Sequence, residues 1–386
     1  MRKATTVLTG LLLAGVLATP AHAETIRAQQ WHLDTMKADE MWKTSTGKGV
    51  TVAVIDSGVG RVPELEGQVL PGKDFVPDAG GDERKDHSNH GTTMAAIIAA
   101  TGKHPSGDGA MGLAPGAKIL PIRVSDQPGK RASWVQAIRY AADSDAKVIN
   151  ISMGTSEEDP ARAEAVKYAL AKGKLIFASV GNSGDGLNRV QYPAATPGVV
   201  GVGAVDQKAN ATAESQKGPQ VDLSAPGTDI VTACGGKTGV CKNHGTSDAT
   251  ALASASAALL WSAHPDWTNN QVLRVLLNTS GKPRDGVERN NHIGYGVVRP
   301  RIALSNPGDP GPAAEWPLPD LAAAAPSGSP APGGSGSAQS PAAPAPSQAA
   351  APEAEGSSLP WIALGIGAAV LLGGGVTALA LRGRGR

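Results

Sequence analysis

Three residues have the types and surroundings needed for nucleophilic acyl chemistry: Asp56, His90 and Ser247. A serine hydroxyl is a weak nucleophile at neutral pH. It needs a base within hydrogen-bond reach, and the base needs a third group to orient it. Asp56 ends an apolar run, "VAVI", and precedes "SGV", which sets a carboxylate at the end of a buried strand. His90 opens "HGTTMAAIIAATG", where the following glycine leaves room beside the ring and an apolar helix holds the imidazole still. Ser247 lies in "NHGTSDATALASASAALL", at the start of a helix of small residues. Free N–H groups at a helix start can stabilise negative charge on a tetrahedral intermediate. Asn182, in "ASVGNSG", is the candidate for a second oxyanion donor through its side-chain amide. Read alone, "GTS" is an ordinary helix cap and Asn182 a turn residue. Together the four residues make a coherent set.

Other chemistries fit less well. A zinc site would draw on His87, His90 and either Asp82 or Asp86, but HExxH is missing and no cysteine is near. The esterase motif GxSxG is absent around Ser247, and the order Asp–His–Ser differs from that of the α/β-hydrolases. The net charge of +1 and the lack of a basic stripe exclude nucleic acid as a partner.

The elements that must position these groups alternate along the chain. Strand-like runs are "VTVAVI", "AKILPIRV", "KVINISMG", "KLIFASVG" and "VVGVGAV". Helical stretches run from His90 to near Gly102, Arg131 to Asp143, Pro160 to Ala171, onward from Ser247, and Gln271 to Thr279. This pattern predicts an α/β fold, a mostly parallel sheet with helices on both faces. In such folds functional groups gather at the carboxyl ends of strands. Asp56 and Asn182 fall there, while His90 and Ser247 open helices.

The ends of the chain read differently. Residues 1–23 have a basic start, an apolar middle and the small-x-small pattern of Ala21 and Ala23, as in a secretory signal peptide. Residues 24–48 form a short N-terminal extension, and 49–305 the main domain. Residues 306–360, rich in Pro, Ala, Ser and Gly, read as a disordered linker. Trp361 to Leu381 is uncharged and, as a helix, would span roughly 30 Å, about a bilayer core. It is expected to be a transmembrane helix, with 382–386 as a basic cytoplasmic tail. These features predict a single-pass cell-membrane protein with its main domain extracellular and the membrane as a partner. Two cysteines, Cys234 and Cys241, are expected to close a small disulfide loop in an oxidising compartment; the alternative is two free thiols.

The stretches "VAVIDSGV", "NHGTTMAAIIA", "GLAPGAKILPIRV", "VINISMG", "ASVGNSG", "YPAATPGVVGVGAV", "LSAPGTDI" and "GTSDATALASASA" resemble those of the subtilisin-like serine peptidases. They span Gly49 to about Leu260. The resemblance implies a serine endopeptidase acting on polypeptides. It assigns Asp56 to orient His90, His90 to relay the proton of Ser247, and the Ser247 amide with Asn182 to form the oxyanion hole. Ser152, Met153 and Gly154 would bind an extended substrate. No cofactor is implied as required, although structural calcium is common in the family; no loop matches an EF-hand.

The order of segments resembles the mycosins, membrane-anchored subtilases associated with type VII secretion, which implies secretion-complex proteins as partners. A structural or assembly role with little or no protease activity is the competing expectation. The chain also departs from the family. Thr93 stands where a second histidine is common, Ala251 where a proline is usual, and Asp248 where an apolar residue follows the serine. A carboxylate beside Ser247 would disfavour an oxyanion, yet it suits a helix start. With its side chain turned to solvent, activity should survive. The extension 24–48 is too short to fold as an inhibitory prodomain and is expected to pack on the main domain.

Overall fold

Strand β1 (Thr51–Asp56) shows how the sequence builds the sheet. Its side chains alternate, as strand geometry requires: Val52 and Val54 enter one hydrophobic core, Ala53 and Ile55 the other. A strand buried on both faces is apolar at every position, not at every second one. The computed structural model describes residues 24–76, 80–125, 134–236 and 239–323.

β1 is joined in one sheet by β2 (Lys73–Asp74), β3 (Lys118–Arg123), β4 (Val148–Ile151), β5 (Leu175–Ser179), β6 (Val200–Val205) and β7 (Leu223–Pro226). The order is β2-β3-β1-β4-β5-β6-β7, and every pairing is parallel. Strands β8 (Ile230–Ala233) and β9 (Val240–Asn243) form a separate antiparallel hairpin. The disulfide between Cys234 and Cys241 closes it, with Cα atoms 5.8 Å apart.

Three short helices come first: α1 (Ile26–Gln29), α2 (Trp31–Met36) and α3 (Ala38–Met41). They precede α4 (His90–Ala99), α5 (Trp134–Asp143), α6 (Pro160–Ala171), α7 (Thr246–Ala263), α8 (Asn269–Asn278), α9 (Pro300–Ser305) and α10 (Asp320–Ala323). Helices α4, α7 and α8 cover one face of the sheet; α5 and α6 cover the other. The expected α/β architecture is therefore present. Helix α7 lies across β4 to β7, and its alanines and serines let backbone approach backbone. Its buried hydroxyls stay satisfied, Thr250 donating to Thr246 O and Ser256 to Leu252 O, each at 2.7 Å.

One part of the expected fold class is corrected. Among the described residues no helix is long and apolar enough to cross a membrane. The longest of them, α7, spends its apolar surface on the core. The C-terminal transmembrane helix is therefore withdrawn, together with the single-pass cell-membrane location and the membrane partner drawn from it. Those readings rested on the hydropathy of 361–381 and its basic flank, and that segment lies outside the described residues. So do the signal-peptide segment 1–23 and the tail 382–386.

Residues 306–323, which composition places in the linker, pack on the domain. Arg274 donates to Pro310 O at 2.8 Å and to Glu315 O at 2.7 Å, and Leu318 is buried. Trp316 and Leu318 supply apolar anchors that the surrounding Pro and Ala do not.

The N-terminal extension is part of the core. Gln30 is fully buried; its side-chain amide donates to Met111 O at 2.8 Å and Val231 O at 3.0 Å and accepts from Met111 N–H at 3.0 Å. Trp31 donates to Thr228 O and Trp42 to Leu113 O, both at 2.9 Å. Leu33 is 0% exposed, so Leu33→Ala should destabilise the protein by about 3 kcal/mol through lost burial and a cavity. Chemical denaturation of the full chain measures this. His32 is also buried, and burial, with Arg27 adding, holds its pKa down at about 3. A depressed histidine pKa stabilises the fold above the unfolded value of 6.5, and that stability is lost as pH falls from there towards 3. His32→Gln should flatten the fall in denaturation midpoint across that window.

Candidate active site

β1 ends on Asp56, and α4 begins on His90. Their side chains meet with His90 Nδ1 2.7 Å from Asp56 Oδ1. Such an approach requires the helix start to lie almost against the strand end. Gly91 permits it, because a Cβ there would collide with Gly58 O and reach 3.0 Å from the Asp56 Cβ. Asn89 turns the chain into the helix in the left-handed region, at φ 62°, where asparagine is tolerated.

A second carboxylate secures this corner. Asp86 accepts Thr92 N–H at 2.8 Å and the Thr92 hydroxyl at 2.6 Å, so it caps α4. Its other oxygen accepts the Ser57 hydroxyl at 2.9 Å. Ser57 N–H in turn donates to Asp56 Oδ1 at 2.7 Å, and Gly91 N–H donates to Ser57 Oγ at 3.0 Å. Strand end, loop and helix start thus share one hydrogen-bonded cluster.

Ser247 occupies the first turn of α7, held from two sides. The Ser152 hydroxyl donates to Ser247 O at 3.1 Å, and the Ser247 hydroxyl donates to Ser152 O at 3.0 Å. Behind Ser152 runs a buried polar column: Asn150 Nδ2 donates to Ser152 Oγ at 3.1 Å, and Ser254 Oγ donates to Asn150 Oδ1 at 3.0 Å. Asn182 follows β5. Its Oδ1 accepts both the N–H (2.9 Å) and the hydroxyl (2.8 Å) of Thr246, which leaves Nδ2 as a free donor beside Gly245. Gly245 has φ 128°, and a Cβ there would lie 2.8 Å from that nitrogen.

A cavity of about 480 Å³ gathers His90, Asn182, Ser247 and Asp248, with Asn89, Met94 and the β9 residues Cys241 to Asn243 in its walls. Asp56 lies behind His90, fully buried. Ser152 is buried just beyond β4, with Met153 half-buried and Gly154 exposed. Among the described residues no group of three or more His, Cys, Asp or Glu is arranged to hold a metal ion.

The structure does not turn Asp248 to solvent. It is 1% exposed, and neither carboxylate oxygen makes a hydrogen bond among the described residues. The reason is packing: α7 lies against α4, and Asp248 shares its cavity with Thr93 and Met94 of that helix. Burial pushes its pKa up to about 7, against the pull of His90 and His244. Burial alone would lower the pKa of His90, but the charge and hydrogen bond of Asp56, with Asp248 and Asp86 adding, raise it to about 9. At the mouth, His244 Nδ1 pairs with Glu214 at 2.9 Å.

Sequence reasoning missed Ser57, Thr246, Asn150 and Ser254, and weighed Asp86 only as a metal ligand. Asp86 carried a readable signal, an acidic residue just ahead of a helix start. The others depend on contacts between distant segments.

The subtilase family profile matches residues 47–296. The chain belongs to the subtilase family. It is 34% identical over 260 residues to M-protease of Shouchella clausii, covering 67% of this chain and 65% of that protein. It is 31% identical over 352 residues to Mycosin-1 of Mycolicibacterium smegmatis, covering 77% and 75%. The crystal structure of MycP1 from Mycobacterium smegmatis superposes with a TM-score of 0.65 at 29% identity, covering 76% of this chain and 89% of that one. This subtilase is a serine endopeptidase related to the mycosins in sequence and structure.

In this subtilase Asp248→Asn removes one of the carboxylates that hold a proton on His90. The His90 pKa should fall below its value of about 9. NMR titration of the imidazole in both forms reads the change; an unchanged value would mean that Asp248 does not act on His90.

Proposed function

We propose that Asp56, His90 and Ser247 form a catalytic triad that cleaves polypeptides through an acyl-enzyme at Ser247. The carrying observation is the 2.7 Å contact between Asp56 and His90, with His90, Ser247 and Asn182 on one cavity. Asp56 accepts from Nδ1–H, which fixes the tautomer and leaves Nε2 as the base. In the resting arrangement the Ser247 hydroxyl is turned to Ser152 O. Rotation about χ1 brings it towards His90, and His90 takes its proton as Oγ attacks the substrate carbonyl. The developing oxyanion lies between the Ser247 N–H and Asn182 Nδ2, and His90 then returns the proton to the leaving amine. Water hydrolyses the ester by the same steps. Residues Ser152 to Gly154 extend beyond β4, where a substrate strand can pair through its backbone.

Ser247→Ala should abolish labelling by a serine-directed fluorophosphonate and all peptide hydrolysis above the oxyanion-hole background. Labelling that persists in the variant would refute the assignment. Asn182→Ala should lower kcat by roughly 10²–10³, about 3–4 kcal/mol, with KM little changed. Because His90 must be neutral to act as base, kcat/KM should rise as pH climbs towards about 9.

We propose as a second reading that the protein also serves in the assembly of a type VII secretion complex. The support is likeness to MycP1, whose structure is described as that of an essential component of the ESX-1 system, at a TM-score of 0.63 and 32% identity. A chain of the ESX-5 periplasmic assembly also superposes, at 0.64 and 28% identity. Cells carrying Ser247→Ala separate the roles: secretion restored by the inactive variant assigns an assembly role, and secretion lost with activity assigns the proteolytic one.

A further inference from the structure

A cavity of about 330 Å³ opens where the N-terminal extension meets residues 281–302. It shares no lining residue with the cavity at Ser247. Its floor is apolar and buried, made by Met36, Pro226, Ile293 and Val298. Its rim carries four exposed cations, Lys282, Arg284, Arg299 and Arg301.

Among the described residues that line it, none is acidic. No carboxylate pairs with these cations among the described residues; Lys282 lies over the Tyr295 ring, 5.9 Å from its centroid, and three of the four donate to backbone carbonyls. Lys282 donates to Leu277 O at 3.1 Å and Arg284 to Lys208 O at 2.7 Å. Arg299 donates to Thr279 O and Ser280 O, both at 2.9 Å. The Arg301 side chain makes no hydrogen bond or ion pair among the described residues. Carbonyls satisfy the donors but leave the charge uncompensated. Elsewhere exposed cations do find carboxylates, as Lys167 does with Glu164 and Lys242 with Asp229. Several like charges around a low-dielectric cleft focus a positive field into it, and an anion relieves their repulsion.

We propose that this cavity binds a small amphiphilic carboxylate, its apolar stem on the floor and its carboxylate among the rim cations. A bare anion would leave the floor wet, and an uncharged apolar molecule would leave the rim uncompensated. The volume sits at the small end of ligand sites, roughly 300–1,000 Å³, which limits the stem to a short chain. A free fatty acid and the C-terminus of an apolar peptide share this chemistry. Either occupant would join α2, β7 and the 281–302 segment, and would stabilise the fold by mass action.

The test is calorimetric titration of the full chain with octanoate, 1-octanol and acetate, and with Leu-Val-Leu and its C-terminal amide. Octanoate or the tripeptide acid should bind at least tenfold more tightly than octanol, acetate or the amide, and should raise Tm. Whichever acid binds identifies the source. Arg284→Gln with Arg301→Gln should weaken that binding at least tenfold while fluorophosphonate labelling of Ser247 stays unchanged. If the double variant does not fold, Arg301→Gln alone takes its place, since that side chain supports no described contact. The proposal is overturned by absence of saturable binding at millimolar acid, by equal binding of acid and uncharged partner, or by binding that the substitutions leave intact.

Discussion

The hydrogen bond between Asp56 and His90 constrains the molecule more than any other single contact. It joins the end of an interior strand to the start of a helix, and it holds only if those two backbones nearly touch. Gly91 removes the side chain that would keep them apart. Ser57 and Asp86 then bind the corner together, accepting the Gly91 and Thr92 N–H groups of the helix while the Ser57 hydroxyl donates to Asp86. A carboxylate at a strand end is easily solvated. This one is fully buried, so its electrostatic effect on the imidazole is weakly screened.

The serine side of the site depends on a different device. Helix α7 is almost wholly buried and made of small residues, so it can lie close against β4 to β7. That closeness lets Ser254 reach Asn150, and Asn150 reach Ser152, which holds the carbonyl of Ser247. Each polar group in the column has a partner, which is the condition for burying such groups without loss of stability. Two separately braced halves therefore meet at the carboxyl ends of the strands.

The sheet was legible because its strands are buried on both faces and read as continuous apolar runs. β1, β3, β4, β5 and β6 all showed this, and the groups at their ends followed. The two-residue β2 and the partly exposed β9 carry too little apolar signal to be read. Helix α8 starts two residues before the expected Gln271, because Thr268 and Gln271 form a capping box. Asp56, His90, Ser247 and Asn182 were visible through local context. The orientation of Asp248 was not legible: helix-start electrostatics explains why a carboxylate is tolerated there, but says nothing about which side of the helix meets a neighbour. Residues 306–323 were misassigned because overall composition hid two anchoring side chains. The membrane reading came from hydropathy and a basic flank, without a helix among the described residues to carry it.

The β8–β9 hairpin touches both ends of the molecule's business. Val231 and the adjoining Thr228 accept hydrogen bonds from Gln30 and Trp31 of the N-terminal helices. Cys241, Lys242 and Asn243 of the same hairpin form one wall of the cavity that holds His90 and Ser247. The disulfide clamps the two strands into a stiff plate. Tension on the first helices is therefore delivered, through that plate, to one wall of the cavity that holds His90 and Ser247. Mechanically, the N-terminal helices are a handle on one wall of that cavity.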